Sequence, residues 1–384
     1  MIQPRRLGII LLVLAGLMFV ARVRQSVRGF RRAPLMARES LVATPIPSTQ
    51  NPATPSPPDS FGLGRNLPYK LEVGPYAVGE IERVVLHDAR RNKDLPVHVF
   101  YPNAAGTFPV IVFSHGAGGS GECCVELPRH WAGYGYVVLA PTHADSVKLR
   151  REHGETISIS QGMLKAVAGI VKDPDVLPNR ARDISFLLDS LDGIARRERQ
   201  LDGKLDLTRI GMSGHSLGSI TAQLIGGATF ASRGGIVQNF ADGRVLAIEI
   251  LSGGGRLPIG QNEHSWDNVR VPSLALTGSR DPGSVIAGPG FGAGRKQVYD
   301  FLPSGDKYNV YLEGANHMSF IGQGRLMQKP LSAGPDQTAI FNYEQMATLA
   351  FWDAYLKGDK NGRDWLASDA LATYSHGEAM VSRK

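Results

Sequence analysis

The hydrophobic and polar positions after residue 80 fall into short apolar runs separated by longer stretches with helical spacing. Two early runs, RVVLHDA and LPVHVFYP, flank the polar stretch RRNKD and predict an antiparallel pair of strands. Six later runs are almost wholly apolar, as is typical of strands buried on both faces of a sheet: FPVIVFSHG, YVVLAP, RIGMSG, VLAIEIL, PSLALTG and YNVYLEG. Asp183–Leu191 and Thr338–Leu356 have helical spacing. The alternation predicts an α/β fold, a mostly parallel doubly wound sheet with helices on both faces.

Ligands of such open sheets bind beyond the carboxyl ends of the strands, so reactive side chains that directly follow an apolar run are the candidates for chemistry. Gly214–Gly218, GHSLG, follows one such run and precedes SITAQLIGG, which can form a helix. This strand, turn and helix context is that of a nucleophile elbow and predicts Ser216 as the nucleophile. Ser213 is then the end of the strand and Ser219 lies in the first helical turn. A plain glycine turn is the alternative.

A serine hydroxyl needs a general base, and the base needs an acid that orients it. In this architecture the expected chain order is serine, acid, histidine. Asp281 and His317 each directly follow an apolar run in that order, which predicts them as the acid and the base. Glu249 lies within the run after the nucleophile helix and stays open as an alternative acid, although its apolar neighbours also fit a buried structural role.

Acyl transfer also needs backbone N–H donors for the oxyanion. The residue after the nucleophile, Leu217, is expected to supply one donor. The small residues of SHGAGGSG after an earlier run predict the other, for which Ala117 is the candidate. His115 in the same stretch is interpreted as a turn residue and not as a base.

The sequence offers little support for a cofactor. It contains no phosphate-binding P-loop, and no set of histidines and cysteines has zinc-site spacing. The two cysteines, Cys123 and Cys124, are adjacent and form no disulfide framework. The glycine-rich Gly288–Gly294 opens no helix and is interpreted as a mobile loop near the site. We therefore expect neither a cofactor nor a metal.

The formal net charge of +7 is carried by one terminal segment, because residues 1–32 contain seven arginines and no acid. A nucleic-acid-binding surface is therefore not expected. Within that segment, basic residues precede the apolar run Leu7–Ala21, which predicts a signal peptide or a membrane anchor and hence export to the periplasm or the medium, or attachment to the membrane. A linker rich in Pro, Ser and Thr follows over 33–68, and the catalytic domain is expected over 69–384.

With these residues assembled, the sequence resembles the α/β-hydrolases from about Val84 to Leu356. It is most similar to platelet-activating-factor acetylhydrolases and predicted dienelactone-hydrolase-like proteins, and more distantly to polyester hydrolases and cutinases. The motifs that carry the resemblance are VIVFSHGAGGSG, YVVLAPTHAD, RARDISFLLD, RIGMSGHSLGS, SWDNVRVPSLALTGSRD and GDKYNVYLEGANHMSF.

The resemblance implies a carboxylic-ester hydrolase with Ser216, His317 and Asp281 as the triad, and Ala117 and Leu217 at the oxyanion hole. Dienelactone hydrolases have cysteine at the elbow, so their substrate is not carried over. In the acetylhydrolases the acid follows the earlier strand, which keeps Glu249 open.

The sequence therefore predicts a serine esterase of the short-chain or acetyl-ester type, acting on a small-molecule or lipid-like ester. The same triad also serves amidases, thioesterases and acyltransferases, so these stay as alternatives. A tethered binding protein on an inactive hydrolase scaffold is a further alternative.

Overall fold

The computed structural model describes residues 68–384 apart from 232–234, 256–259, 282–294, 324–335 and scattered positions from 159 to 174. The predicted N-terminal segment, the linker up to residue 67 and the Gly288–Gly294 loop lie outside the described residues. Among the helices that are described, none combines the length and the apolar character needed to span a bilayer.

The described part alternates strands and helices along the chain. The strands are β1 (Val78–Asp88), β2 (Lys93–Pro102), β3 (Phe108–Ser114), β4 (Val137–Pro141), β5 (Leu205–His215), β6 (Thr229–Ala231), β7 (Val237–Asn239), β8 (Val245–Leu251), β9 (Ser273–Arg280), β10 (Lys307–Asn316) and β11 (Ala379–Arg383). The α-helices are α1 (Glu126–Gly133), α2 (Val147–Glu152), α3 (Val176–Arg197), α4 (Leu217–Ile225), α5 (Gln297–Phe301), α6 (Gln337–Leu356), α7 (Lys360–Ala367) and α8 (Ala370–Tyr374). Single 3-10 turns lie at Arg199–Leu201, Glu263–Trp266 and Ser319–Ile321.

Nine of the described strands form one sheet in the order β1-β2-β4-β3-β5-β8-β9-β10-β11. The six strands from β4 to β10 in that order pair in parallel, whereas β1, β2 and β11 pair antiparallel at the two ends. The order reverses direction around β3, so β3 and β5 lie side by side although they are distant in sequence. Their carboxyl ends therefore meet at the middle of one sheet edge, where a ligand site is expected.

Alternate residues of the central strands pack into two apolar cores, one on each face of the sheet. Val110 and Val112 of β3 belong to the core beneath α3 and α4, whereas Ile111 and Phe113 belong to the core beneath α1 and α6. This division follows from the two-residue period of a strand, and it explains why these runs are apolar at every position. The sheet is thus covered on both faces.

The predicted fold class is confirmed, and each apolar run quoted above overlaps a strand of the sheet. The predicted antiparallel pair is β1 and β2, which pair from Val78 with Pro102 to Asp88 with Lys93. The sequence interpretation missed β11, which pairs with β10 from Leu312 to Tyr308. At this edge only Ala379 of β11 is buried, so the segment lacks the apolar run that marks the inner strands.

Candidate active site

Ser216 is the single residue between the end of β5 and the start of α4, and its backbone has φ 56° and ψ −116°. Such a backbone conformation is costly for a residue with a side chain and persists only when the surroundings impose it. Two glycines allow the sharp turn. A Cβ on Gly214 would lie 2.2 Å from the carbonyl oxygen of Gly218, and a Cβ on Gly218 would lie 1.9 Å from that of Ser114. The GHSLG motif therefore forms the predicted strand, turn and helix.

The backbone of Ser216 is also held by the neighbouring strand. Its N–H donates a 3.0 Å hydrogen bond to the carbonyl of Leu251, the last residue of β8. The side chain does not cap α4, and it is half-buried. The hydroxyl is therefore available to a partner at the edge of the sheet.

That partner is His317, which follows β10 directly. Its Nε2 lies 3.0 Å from the Oγ of Ser216. Asn316 shapes the turn that presents the imidazole, because its Oδ1 accepts a 2.9 Å hydrogen bond from the N–H of Met318. His215 supports the same turn, since its Nε2 lies 2.8 Å from the carbonyl oxygen of His317 and donates to it. The base predicted from the sequence is thus brought to the predicted nucleophile.

Asp281 follows β9 and is 2% exposed. Its Oδ1 lies 3.4 Å from Nδ1 of His317, longer than a usual N–H···O hydrogen bond. Its Oδ2 accepts hydrogen bonds from the hydroxyls of Ser252 at 2.7 Å and Thr277 at 3.3 Å. The structure therefore brings the predicted acid beside the imidazole, with a serine hydroxyl that also lies 2.6 Å from His317 Nδ1.

Arg295 adds a buried positive charge to this group. Its Nε lies 2.8 Å from Oδ1 of Asp281, and its guanidinium also donates to the carbonyl of Ser252. Burial lowers the pKa of His317 below its usual value, and the Arg295 charge lowers it further, against the opposing effect of Asp281. His317 is therefore neutral, and able to accept a proton, to a lower pH than an ordinary histidine.

The candidate oxyanion donors lie on either side of the nucleophile. Leu217 opens α4, so its N–H has no acceptor within the helix. Ala117 lies in the loop after β3, half-buried, and Gly116 of that loop is close enough to Ser216 that a Cβ on it would lie 3.3 Å from the serine Cβ. Within the described ranges, neither the N–H of Ala117 nor that of Leu217 has a hydrogen-bond acceptor. As far as the described residues show, both N–H groups can therefore donate to a ligand oxygen.

A buried arginine fastens the loop that carries Ala117. Arg180 of α3, 2% exposed, donates to the carbonyls of His115 at 2.7 Å and Gly116 at 3.2 Å. It also pairs with Asp145 at 2.9 Å, and Asp145 accepts a 3.0 Å hydrogen bond from the N–H of Gly118. Burial opposes ionisation of Asp145, but the Arg180 charge and the hydrogen bonds from Arg180 and Gly118 together outweigh burial, so the pKa of that carboxyl lies below its usual range. Arg180 thus connects α3 to the carbonyls of His115 and Gly116, and its ion-pair partner Asp145 binds the N–H of Gly118, so the loop backbone is held at several points.

His115 contacts a second histidine at a neighbouring strand end. The ring is buried, and its Nε2 accepts a 3.0 Å hydrogen bond from the N–H of His143. Burial lowers the pKa of His115 well below its usual value, and the Arg180 charge adds to this effect. His143 in turn lies 2.9 Å from Asp183 of α3. This neutral pair of histidines links two strand ends and takes no part in the contacts around Ser216.

Glu249, the alternative acid, lies in the middle of β8 and is fully buried. Its Oε2 accepts a 3.1 Å hydrogen bond from the hydroxyl of Ser213. In the part of the chain that the structure describes, the contacts of the His317 ring are with Ser216, Ser252, Asp281 and His215, and Glu249 is not among them. The structure therefore brings together Ser216, His317 and Asp281, and leaves Glu249 apart from them.

Sequence reasoning missed three residues of this site: Ser252, Arg295 and Arg180. Ser252 directly follows the apolar run VLAIEIL, so its place at a strand end was a usable signal. Arg180 sits in a helix among other charged residues, and nothing in the sequence separates it from a solvent-exposed arginine. Arg295 follows a glycine-rich stretch with no periodic pattern, and only its three-dimensional contact with Asp281 reveals it.

The nine-stranded, mostly parallel sheet covered by helices has the α/β-hydrolase fold, and the resemblance noted in the sequence is confirmed at that level. Within that class, residues 70–179 match the model of the chlorophyllase family. The match spans less than a third of the chain and includes the loop with Ala117, but it ends before Ser216. It indicates an ester-hydrolysing serine hydrolase of the carboxylesterase type. No curated protein has a matching sequence.

Proposed function

We propose that this protein hydrolyses carboxylic esters through an acyl-enzyme on Ser216, with His317 as the general base and Asp281 as the acid that orients it. The observation that carries the proposal is the 3.0 Å contact between His317 Nε2 and Ser216 Oγ at a strained strand-to-helix turn. Nucleophile, base and acid follow three different strands of one sheet edge, in the chain order that this architecture uses.

The reaction begins when Ser216 Oγ attacks the ester carbonyl carbon and His317 Nε2 takes the hydroxyl proton. The negative charge that develops on the carbonyl oxygen is stabilised by the N–H groups of Leu217 and Ala117. The tetrahedral intermediate then collapses, the C–O bond to the alcohol breaks, and His317 returns the proton to the leaving alcohol. A water activated by His317 hydrolyses the acyl-enzyme by the same two steps.

The substrate class is a small-molecule or lipid-like ester with a short acyl group. The candidate oxyanion donors are the backbone N–H groups of Ala117 and Leu217, which carry no net charge, and the imidazole of His317 is neutral. These groups suit an uncharged ester carbonyl better than a phosphate. The similarity to chlorophyllases makes chlorophyll one ester to include among the substrates tested. No nucleic acid is expected as a partner.

The decisive experiment compares the full chain with Ser216→Ala. We expect the wild type to be labelled by a fluorophosphonate probe and to hydrolyse p-nitrophenyl acetate, and the variant to lose both, with kcat falling by about a millionfold at most. Ser219→Ala, one helical turn away, is the matched control and should still be labelled. Labelling that persists in Ser216→Ala would assign the nucleophile to another residue and overturn the proposal.

A chain-length series of p-nitrophenyl esters then separates the substrate classes. A preference for acetyl and butyryl esters supports the short-chain assignment, and a preference for long acyl chains contradicts it. Acyl transfer to added alcohols in place of hydrolysis would favour an acyltransferase on the same triad.

The N-terminal segment supports a location outside the cytoplasm or at the membrane. Its arginines and apolar run suit an export signal or an anchor. Fractionation of cells that express the full chain or a chain without residues 1–32 tests this. Export or membrane association of the full chain alone is the expected result, and an identical cytoplasmic location for both would contradict it.

A further inference from the structure

Ser252 lies between the imidazole and the carboxylate of the proposed triad. It directly follows β8, is fully buried, and has its Oγ 2.6 Å from His317 Nδ1 and 2.7 Å from Asp281 Oδ2. The direct distance from Nδ1 to Asp281 Oδ1 is 3.4 Å. The two short contacts therefore pass through the serine hydroxyl, and the direct contact is the longest of the three.

The hydrogen-bond directions are determined by the chemistry of the groups. An ionised carboxylate only accepts, so the hydroxyl of Ser252 donates its single proton to Asp281. The oxygen of Ser252 can then only accept from His317, which places a proton on Nδ1. Nε2 of the neutral ring consequently has a free lone pair, directed at the hydroxyl of Ser216. This is the tautomer that a general base at Ser216 requires.

The backbone holds Ser252 in this place. Its φ of 48° lies in the left-handed region, which costs a residue with a side chain roughly 1 kcal/mol. The N–H of Ser252 donates a 2.9 Å hydrogen bond to the carbonyl of Leu276 on β9, and its carbonyl accepts from the guanidinium of Arg295. Both backbone groups are therefore fixed, and the hydroxyl is aimed at the space between the ring and the carboxylate.

We propose that Ser252 is a positioning residue of the esterase, which accepts the Nδ1 proton of His317 in a hydrogen bond and connects it to Asp281. The inference rests on the proposed function and adds a fourth residue to its triad. No proton leaves Ser252 during the reaction. As His317 becomes positively charged, the polarised hydroxyl carries the stabilising effect of the carboxylate to the ring.

The first test replaces the hydroxyl. Ser252→Ala and Ser252→Gly should both lower kcat for p-nitrophenyl acetate by about tenfold to a hundredfold with little change in KM, because the interaction strengthens only as charge develops on His317. Glycine adopts a φ of 48° without cost, so Ser252→Gly keeps the test valid if the alanine variant fails to fold. Ser213→Ala, which removes another buried hydroxyl from the adjacent strand, is the matched control and should retain wild-type kcat.

The pH profile separates positioning from a general loss of structure. Without the acceptor for Nδ1–H, the charged form of His317 is less stable, so the acid limb of kcat/KM should move to lower pH in both Ser252 variants. The groups facing His317 are Asp281, Arg295 and His215, and none of them is altered. A limb that stays at the wild-type pH would show that Ser252 acts only on structure and would overturn the proposal.

A double-mutant cycle with Asp281→Asn gives the sharpest result. If Ser252 connects Asp281 to His317, the double variant should lose no more activity than Asp281→Asn alone. Losses that multiply would mean that the two residues act independently, and the proposal would fail. Wild-type kcat in both Ser252 variants would also overturn it while leaving the esterase intact, whereas absence of Ser216-dependent hydrolysis in the wild type would overturn the proposed function.

Discussion

Asp281 and Glu249 are two carboxylic acids on neighbouring regions of one sheet, equally deep in the protein and in opposite electrical environments. Asp281 follows β9, and Glu249 lies within β8, the strand beside it. Asp281 has a guanidinium at 2.8 Å and two hydroxyl donors on one oxygen. Glu249 has one hydroxyl donor, Ser213, and a second buried acid, Glu344, nearby.

The charge states follow from these partners. Burial raises the pKa of Glu249 well above its usual value, the hydroxyl of Ser213 offsets this only in part, and Glu344 adds to the increase. Glu344 is itself fully buried, and burial raises its pKa as well. Burial therefore favours the neutral, protonated form of both acids, whereas Asp281 has a guanidinium and two hydroxyl donors beside it. Two equally buried acids thus differ in the donors and the cation around them, and that difference is the basis for proposing Asp281 as the acid of the triad.

The largest expected effect comes from exchanging each acid for its amide. Asp281→Asn should reduce kcat by about a thousandfold to ten-thousandfold, because the amide does not stabilise the charged imidazole. Glu249→Gln, the matched exchange, should retain kcat within about twofold, since the side chain is neutral and does not contact His317. Both are measured on p-nitrophenyl acetate at neutral pH. The reverse result, a normal Asp281→Asn and an inactive Glu249→Gln, would transfer the role of the acid to Glu249.

A smaller effect is expected on stability. A glutamate whose folded pKa is raised above its unfolded value of 4.5 gives its full stability below that value. As the pH rises from 4.5 toward the folded pKa, the unfolded state loses its proton first, and stability falls by about 1.4 kcal/mol per pH unit for each such acid. Glu249→Gln has no proton to lose there, so its free energy of unfolding should fall less steeply with pH.

Urea unfolding at several values between pH 5 and pH 8 measures this difference. Asp145, whose pKa is lowered, loses its contribution only as the pH falls through the acid range, so it does not affect the comparison. Equal pH slopes for the wild type and Glu249→Gln would mean that Glu249 is ionised in the folded protein. That result would remove the contrast between the two acids.

The smallest expected effect is a shift in the pH profile. Arg295→Gln removes a positive charge that lowers the pKa of His317, and it frees Asp281 from its ion pair. Both changes favour the charged imidazole, so the acid limb of kcat/KM should move to higher pH. Lys296→Gln, next in the chain and paired at the surface with Asp300 at 3.1 Å, is the matched control and should leave the limb in place. A shift to lower pH in Arg295→Gln would contradict the proposed electrostatics.

The two acids also illustrate which features of the site can be predicted from the sequence. Strand ends are recognisable because apolar runs stop there, so the sequence predicts Asp281 and His317 from their positions and leaves Glu249, a mid-strand residue, as the alternative acid. The strand order, which puts β5 beside β3 and β8, explains why these separated positions meet at one edge. The positions themselves are predictable because the end of an apolar run is a pattern local in sequence.

The connections between these positions were not predictable in the same way. The contact of Ser252 with His317 depends on a backbone φ of 48° and on a neighbour 65 positions away. The contact of Arg180 with the loop at Gly116 joins residues 64 positions apart. Such contacts depend on how elements that are distant in sequence pack against each other, and neither propensity nor periodicity encodes that packing.

The contact between α4 and β3 has a practical consequence for engineering. A single methyl group at Gly218 would collide with the carbonyl of Ser114 and move α4, and with it Ser216 and Leu217, away from the sheet. Mutational libraries that aim at new substrates should therefore leave Gly214 and Gly218 untouched.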